Sequence, residues 1–314
     1  MYQGKSVCVI MPAYNEEATI GDTIDALPEY VDNVIVVDDG SRDQTARIAE
    51  DKGATVFRHR RNRGVGAAFN TGLRAALNYG ADITVNMDAD GQFNPRDIVK
   101  LITPMIEGKA QFVTASRFMD PRRIPAMSRV KRWGNAYMSF MISRMAGQRF
   151  YDVSCGFRAY SKEALMHLNL FGDFTYTQES FLSFAFNNVS ILEVPVDVIG
   201  RRRHGKSRVA SNLFKYAYQT FKIIIRTMRD YKPFRMFAAI ALFLLAIGVA
   251  LAVFLGVHYV RTGTFTPHKW AGFTAGFFIM LAMMSFVLGF ILDMFARMRL
   301  NQERILFLLK RQGK

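Results

Sequence analysis

Two aspartates one residue apart, Asp88 and Asp90, follow the run Ile83-Thr84-Val85-Asn86-Met87, and Gln92 comes two positions later. The run predicts a buried strand, and open α/β sheets present their ligand sites at the carboxyl ends of such strands. If the strand continues through the pair, its side-chain period of two puts both carboxylates on one side. Hard oxygens there, with the Gln92 amide, suit Mg²⁺ or Mn²⁺ shared with a diphosphate, because these ions keep positions for phosphate oxygens. Asp-x-Asp-Gly is also good turn chemistry, so the pair alone leaves a solvated turn open.

Two further polar clusters end apolar runs. Ser6 to Met11 reads as a strand that stops at Pro12-Ala13-Tyr14-Asn15-Glu16, with Asn15 a candidate cap for a helix to about Leu27. Asn33 to Val37 stops at Asp38-Asp39-Gly40-Ser41. Helix over Asp43 to Lys52, strand over Ala54 to Phe57 and helix over Gly66 to Tyr79 complete an alternation that predicts a mostly parallel sheet covered on both faces. In such a sheet the three polar strand ends share one edge and converge on one crevice. Asn62-Arg63-Gly64-Val65-Gly66 opens a helix and offers backbone N–H groups to a phosphate. Its spacing is not that of a Walker motif. No Gly-x-Gly-x-x-Gly follows the first strand, which argues against a kinase, a P-loop ATPase and a dinucleotide oxidoreductase.

The 314 residues carry a formal net charge of +15, which favours an anionic partner. Cys8 and Cys155 suggest neither a disulfide framework nor a zinc site. The short polar start, Met1 to Lys5, predicts no signal peptide and a cytosolic first two-thirds. Residues 237–257 and 271–292 contain no ionisable side chain, and each run is long enough to cross a bilayer as a helix. Basic residues flank both runs on their outer sides, whereas the loop from His258 to Trp270 holds only Arg261 and Lys269. The positive-inside rule therefore predicts a multi-pass protein of the cell membrane, with both flanks cytosolic, the loop outside, and Tyr259 and Trp270 at the interfaces. Small residues Gly272, Ala275, Gly276 and Ala282 would permit close helix contacts, including those of a homo-oligomer.

Taken in order, Pro12 to Glu16, Val37 to Ser41, Arg63-Gly64 to Asn70-Thr71-Gly72, Asp88 to Gln92, Ser116-Arg117-Phe118 and Ser154-Cys155-Gly156-Phe157-Arg158 resemble the family 2 glycosyltransferases of GT-A fold. Within that family the set is most similar to polyprenyl-phosphate glycosyltransferases of the dolichol-phosphate mannose synthase type, over roughly residues 5–210. The resemblance implies a GT-A domain over 1–210, an interfacial amphipathic helix over 211–235, a transmembrane hairpin over 236–293 and a basic cytosolic tail over 294–314. It implies nucleotide-sugar contacts from Pro12, Tyr14, Asn15, Glu16, Asp38, Asp39, Arg63, Gly64, Asp88 and Ala89, and metal contacts from Asp88, Asp90 and Gln92.

Basic clusters follow the carboxylates: Arg117 to Arg132, and Arg201-Arg202-Arg203-His204-Gly205-Lys206-Ser207-Arg208, which precedes an apolar stretch interleaved with Lys215, Lys222 and Arg226. A charge run is usually a solvated face, but one beside an amphipathic helix in the headgroup region would meet lipid phosphate. By resemblance Arg117, Arg129, Lys131, Arg132, Arg202, Lys206 and Ser207 would grip the acceptor phosphate. Glu179 sits where hydroxyl-directed relatives carry a general base, and also reads as an acid of a helix's first turn. His204 reads as a turn residue, and the phenylalanines of 181–186 as packing.

The activity implied is inverting transfer of a hexose from GDP-mannose, UDP-glucose or UDP-N-acetylglucosamine to dolichyl or undecaprenyl phosphate, with Asp90, Arg117 and Glu179 nearest the chemistry. A glycosyltransferase acting on a hydroxyl is the alternative, and Arg129-Val130-Lys131-Arg132-Trp133 approximates the Gln-x-x-Arg-Trp signature of polysaccharide synthases. That motif precedes Glu179 here rather than following it, and two spans alone cannot enclose a polymer channel. A non-catalytic nucleotide-sugar-binding membrane protein is the other alternative. The basic residues border membrane segments and lack a base-stacking module, which argues against nucleic acid.

Overall fold

The computed structural model describes residues 1–125, 127, 129–168, 176–199, 225, 229 and 233–312, without the side chains of Arg123, Val130 and Lys131. The chain divides into two compact units, Met1–Thr220 with Lys310–Lys314, and Phe221–Leu309.

In the first unit, strands β1 (Val7–Ala13), β2 (Asn33–Asp38), β3 (Thr55–Arg58), β4 (Ile83–Asn86), β5 (Phe112–Ser116), β6 (Arg158–Ser161) and β7 (Ile191–Pro195) are interspersed with helices. The helices are α1 (Ile20–Asp25), α2 (Thr45–Asp51), α3 (Val65–Asn78), α4 (Ile98–Ile106), α5 (Arg129–Ala146), α6 (Lys162–His167) and α7 (Tyr176–Phe186). The sheet order is β3-β2-β1-β4-β6-β5-β7. Among the described strands only β6 runs against its neighbours, pairing antiparallel with both β4 and β5. The carboxyl ends of β1, β2, β4, β5 and β7 and the amino end of β6 therefore share one edge. Strand order reverses direction between β1 and β4, which opens the crevice where open α/β sheets take ligands.

The strands are apolar because the sheet is covered on both faces: Val7 to Met11, Ile35 to Val37, Val85, Val113 and Ala115 are fully buried. Helix α3 lies close on this sheet through small residues. A Cβ at Gly72 would come within 3.3 Å of Ile10 Cβ and 3.4 Å of Val37 Cγ2. That approach fixes where α3 begins, and so places the Arg63-Gly64 loop. Phe181 and Phe184 of α7 are fully buried against Phe112, the packing role expected of that run.

Two expectations are corrected. Strand β4 ends at Asn86, so Asp88 and Asp90 lie in a turn rather than on a strand's period; Gly91 closes it at φ 69°. Asn15 caps no helix, because α1 starts at Ile20 after Thr19, and Asn15 instead adopts φ 52°. Left-handed backbone is costly for most side chains and least so for Asn and Gly, which is why an Asn can stand there.

In the second unit α8 (Pro233–Thr262) and α9 (Lys269–Arg311) form an antiparallel hairpin. Both are long and apolar enough to cross a membrane. They pack through small residues: a Cβ on Gly248 would come within 3.1 Å of Ala275 O, and one on Gly289 within 2.9 Å of Phe237 Cβ. Residues 294–311, expected as a tail, continue α9 as helix. The interfacial helix expected over 211–235 falls mostly outside the described residues.

Candidate active site

At the end of β1, the loop from Pro12 to Glu16 is fastened to the start of α2. Asn15 N donates to Ser41 Oγ at 2.8 Å, Glu16 N donates to Thr45 Oγ1 at 2.8 Å, and Arg42 N donates to Asn15 Oδ1 at 2.9 Å. Pro12 and Tyr14 are half-buried beside it. Asp38, buried, accepts from Ser41 N at 3.0 Å and closes the turn after β2.

Asp39 is also buried, and its carboxylate organises the next loop. Oδ1 accepts from Arg63 N at 2.9 Å, and Oδ2 accepts from Gly64 N at 2.8 Å. The phosphate cradle expected of those two N–H groups is therefore filled by Asp39 in this structure. His59 bridges Asp39 Oδ1 (2.7 Å) and Thr71 Oγ1 (2.9 Å). Gly64 sits at φ 93°, and a Cβ on Gly40 would fall 2.7 Å from the Arg61 carbonyl carbon, so the two loops meet only because both positions are glycine.

At the end of β4, Asp90 is 2% exposed and Asp88 half-buried. Asp90 Oδ1 accepts from Gln92 N at 3.1 Å, and Ala89, buried, gives its carbonyl to Thr19 Oγ1 at 2.8 Å. Gln92 Nε2 donates to Ile199 O at 2.9 Å, while Ile199 N returns a bond to Gln92 O at 3.0 Å. The strand extension leaving β7 is thus laced to the carboxylate turn. Arg202 follows three residues later; Arg202, Lys206 and Ser207 lie outside the described residues, as does the Lys131 side chain.

The Asp88 carboxylate stands over Gly156, where a Cβ would lie 3.1 Å from Oδ2 and 3.3 Å from Oδ1. Among the described residues no three His, Cys, Asp or Glu gather as a metal cage. A carboxylate over bare backbone, with a second two residues on in the same turn, fits a divalent ion that takes its other ligands from a diphosphate. A cleft of about 520 Å³ that takes in Asp38 and Ser41 reaches neither aspartate of the pair, and its Glu50 and Asp51 are paired with Arg58 and Arg47.

On the far side of the edge Arg117 leaves β5. Its Nε donates to Asp152 Oδ2 at 2.6 Å and its Nη2 to Asp152 Oδ1 at 2.9 Å, a two-pronged pair with a fully buried carboxylate. Burial works to raise the Asp152 carboxyl, but the Arg117 charge and the hydrogen bonds outweigh it and hold it below its usual range. Nη2 also donates to Ser154 Oγ at 2.7 Å, and Ser154 Oγ donates to Asn135 Oδ1 at 2.6 Å. Glu193 of β7 accepts from Tyr151 N and Asp152 N, both at 2.8 Å. Burial pushes that carboxyl up, against these two bonds.

Asn135 belongs to α5, which begins at the exposed Arg129 and Arg132. Trp133 (70% exposed), Tyr137 and Phe140 lie along its outer face at helical spacing, while Asn135, Met138, Ser139 and Ile142 bury the opposite face. Arg158, fully buried, donates to Cys155 O (2.7 Å), Thr177 O (2.8 Å) and Val153 O (3.1 Å), and so ties the 153–156 loop to the start of α7, which carries the half-buried Glu179. Sequence reasoning singled out none of Asp152, Asn135, Glu193, His59 and Tyr176, and quoted Ser154 and Arg158 only as motif positions.

A profile described as glycosyl transferase family 2 matches residues 8–168. The chain belongs to glycosyl transferase family 2. The UDP-N-acetylglucosamine–dolichyl-phosphate N-acetylglucosaminyltransferase of Methanococcus voltae is 35% identical, over 62% of this chain and 86% of its own. The polyprenol monophosphomannose synthase of Mycolicibacterium smegmatis is 30% identical, over 67% of this chain and 84% of its own. Glucosyl-3-phosphoglycerate synthase of Mycobacterium tuberculosis, solved with Mn²⁺, UDP-glucose and phosphoglyceric acid, superposes with a TM-score of 0.56 at 25% identity, covering 71% of this chain and 80% of that one. This family 2 glycosyltransferase therefore has the GT-A fold that its motifs implied, and α8 and α9 follow the matched region.

Proposed function

We propose that the protein is a membrane-bound inverting transferase that moves a hexose from a nucleotide sugar to a polyprenyl phosphate. The observation that carries this reading is the line Arg117–Ser154–Asn135, which joins a guanidinium anchored at the sheet edge to a helix exposing arginines and aromatic rings. Arg117, Arg129, Lys131 and Arg132 would receive the acceptor phosphate, with Arg202, Lys206 and Ser207 contributing from the segment that follows Ile199. Trp133, Tyr137 and Phe140 suit the headgroup layer, where aromatic residues and arginines are favoured. Names of the relatives above point to the same acceptor class.

On the donor side, Pro12, Tyr14, Asn15, Glu16, Asp38 and Asp39 would hold the nucleoside, with the exposed Arg63 side chain near the diphosphate. Asp88, Asp90 and Gln92 would hold Mg²⁺ or Mn²⁺, which when bound offsets charge developing on the diphosphate leaving group. A phosphate monoester, with a second pKa of about 6, arrives ionised and attacks the anomeric carbon without a general base. The chain's task is then to bring two anions together, which gives the arginines their role and makes Glu179 a positioning residue. One displacement inverts the anomeric centre. The spans α8 and α9 would anchor the enzyme with its catalytic unit cytosolic, since the basic flanks lie outside the hairpin loop. Purified protein offered GDP-mannose, UDP-glucose and UDP-N-acetylglucosamine with a short polyprenyl phosphate should yield one lipid phosphosugar by mass; no lipid product with any donor would refute the reading.

A further inference from the structure

The surroundings of Asp88 are more constrained than a turn carboxylate requires. Three oxygens converge on the bare α-carbon of Gly156: a Cβ there would meet Asp88 Oδ2 at 3.1 Å, Asp88 Oδ1 at 3.3 Å and the Tyr176 hydroxyl at 3.3 Å. Asn86, fully buried, donates from one amide nitrogen to both Gly156 O (2.7 Å) and the Tyr176 hydroxyl (2.9 Å). The Tyr176 oxygen thus accepts from Asn86, which leaves its own proton for another acceptor. Asp88 is the carboxylate at hand, since both its oxygens face the same Gly156 α-carbon as the Tyr176 hydroxyl.

Tyr176 itself cannot drift. Its ring is 2% exposed and stacks on Phe69 with centroids 3.9 Å apart. Arg158 holds Thr177 O on one side and Cys155 O on the other, so the start of α7 and the floor at Gly156 move together. Arg158 also pairs with Asn86 in the β4–β6 register, which carries the same fixed frame to the strand that delivers Asp88.

We propose that Tyr176 and Gly156 are positioning residues for Asp88: the hydroxyl of Tyr176 orients the carboxylate, and the missing side chain of Gly156 leaves the space it occupies. Affinity for the divalent ion is then set by the seat between α7 and the 153–156 loop, as partners behind a metal ligand generally tune it. The inference rests on the reading of Asp88 as a metal ligand, and the test separates the two. Gly156 does not occupy the left-handed region, so an alanine there acts through its Cβ alone.

The experiment is a titration of the full-length protein in detergent with Mn²⁺, in parallel series with UDP and GDP, reading free Mn²⁺ by electron paramagnetic resonance. Tyr176→Phe and Gly156→Ala should each weaken Mn²⁺ binding about 10-fold or more. The melting temperature of the Phe variant should stay within about 4 °C of wild type, a shift of less than about 1 kcal/mol for a domain of this size. Asp88→Asn binding Mn²⁺ like wild type would remove the metal reading itself. Loss of Mn²⁺ binding in Asp88→Asn with wild-type binding in either Tyr176→Phe or Gly156→Ala would overturn the proposal.

Discussion

Arg117 and Asp152 are 35 residues apart in sequence and meet through two prongs, of 2.6 and 2.9 Å, at the carboxyl end of β5. Asp152 is fully buried, whereas the Arg117 side chain keeps 21% of its surface exposed. The carboxylate therefore works as an anchor that fixes one side of a guanidinium. Removing one partner of such a pair costs about 3–5 kcal/mol, because the other charge stays behind. Asp152→Asn should lower stability at neutral pH by an amount of that order, measured by denaturant unfolding. Since the folded-state value of Asp152 is lowered, its contribution is present above the unfolded value of about 4 and is lost as pH falls through the folded value. The gap between wild type and variant should narrow below about pH 4; a gap that persists unchanged at low pH would contradict the ionised pair.

Asp90 tests the metal reading from the activity side. Asp90→Asn keeps the shape and removes one charge, so turnover should fall by about a hundredfold or more, the scale for losing a main electrostatic stabiliser. Activity should vanish in EDTA and return with Mg²⁺ or Mn²⁺. Full turnover in chelator would show that Asp88, Asp90 and Gln92 hold no essential ion.

Topology is checked by labelling intact cells. A cysteine at Thr264, in the loop between α8 and α9, should react with an impermeant thiol reagent, and one at Ser41 should not. The native thiols will add no background, since Cys8 and Cys155 are both buried and burial pushes each up to about 12. Reversed labelling would place the catalytic unit outside.

The strand ends and the carboxylate pair were legible because they are local: an apolar run followed by Pro12, Asp38 or Asp88 announces itself in a few residues. What closes the site was not. Asp39 captures Arg63 N and Gly64 N across 24 and 25 positions, and no spacing rule links an aspartate to an amide that far away. Asp152, Asn135 and Glu193 each act through long-range bonds, and only the Ser154 to Arg158 motif marked that neighbourhood. Trp133 belongs to a near-signature in the sequence, but only the burial of Met138 and Ile142 shows which face of α5 is left outside. The apolar spans were plain in the sequence; that α9 runs as helix through its charged end to Arg311 was not, since a basic stretch reads equally well as a tail.

The central claim is that the acceptor supplies its own negative charge. It is tested most directly by transfer to polyprenyl phosphate against free polyprenol from about pH 5 to 8, with wild type, Arg117→Ala, Arg202→Ala and Glu179→Gln. Only the phosphate should be glycosylated, with the rate rising through the acceptor's second ionisation near pH 6. Each arginine variant should weaken acceptor use by about 2–4 kcal/mol while donor binding stays nearly unchanged, which for Arg117→Ala also checks that the protein stays folded with Asp152 unpaired, and Glu179→Gln should be mild. Equal use of polyprenol, or abolition by Glu179→Gln with no effect of either arginine variant, would mean that the enzyme glycosylates a hydroxyl and would contradict the account.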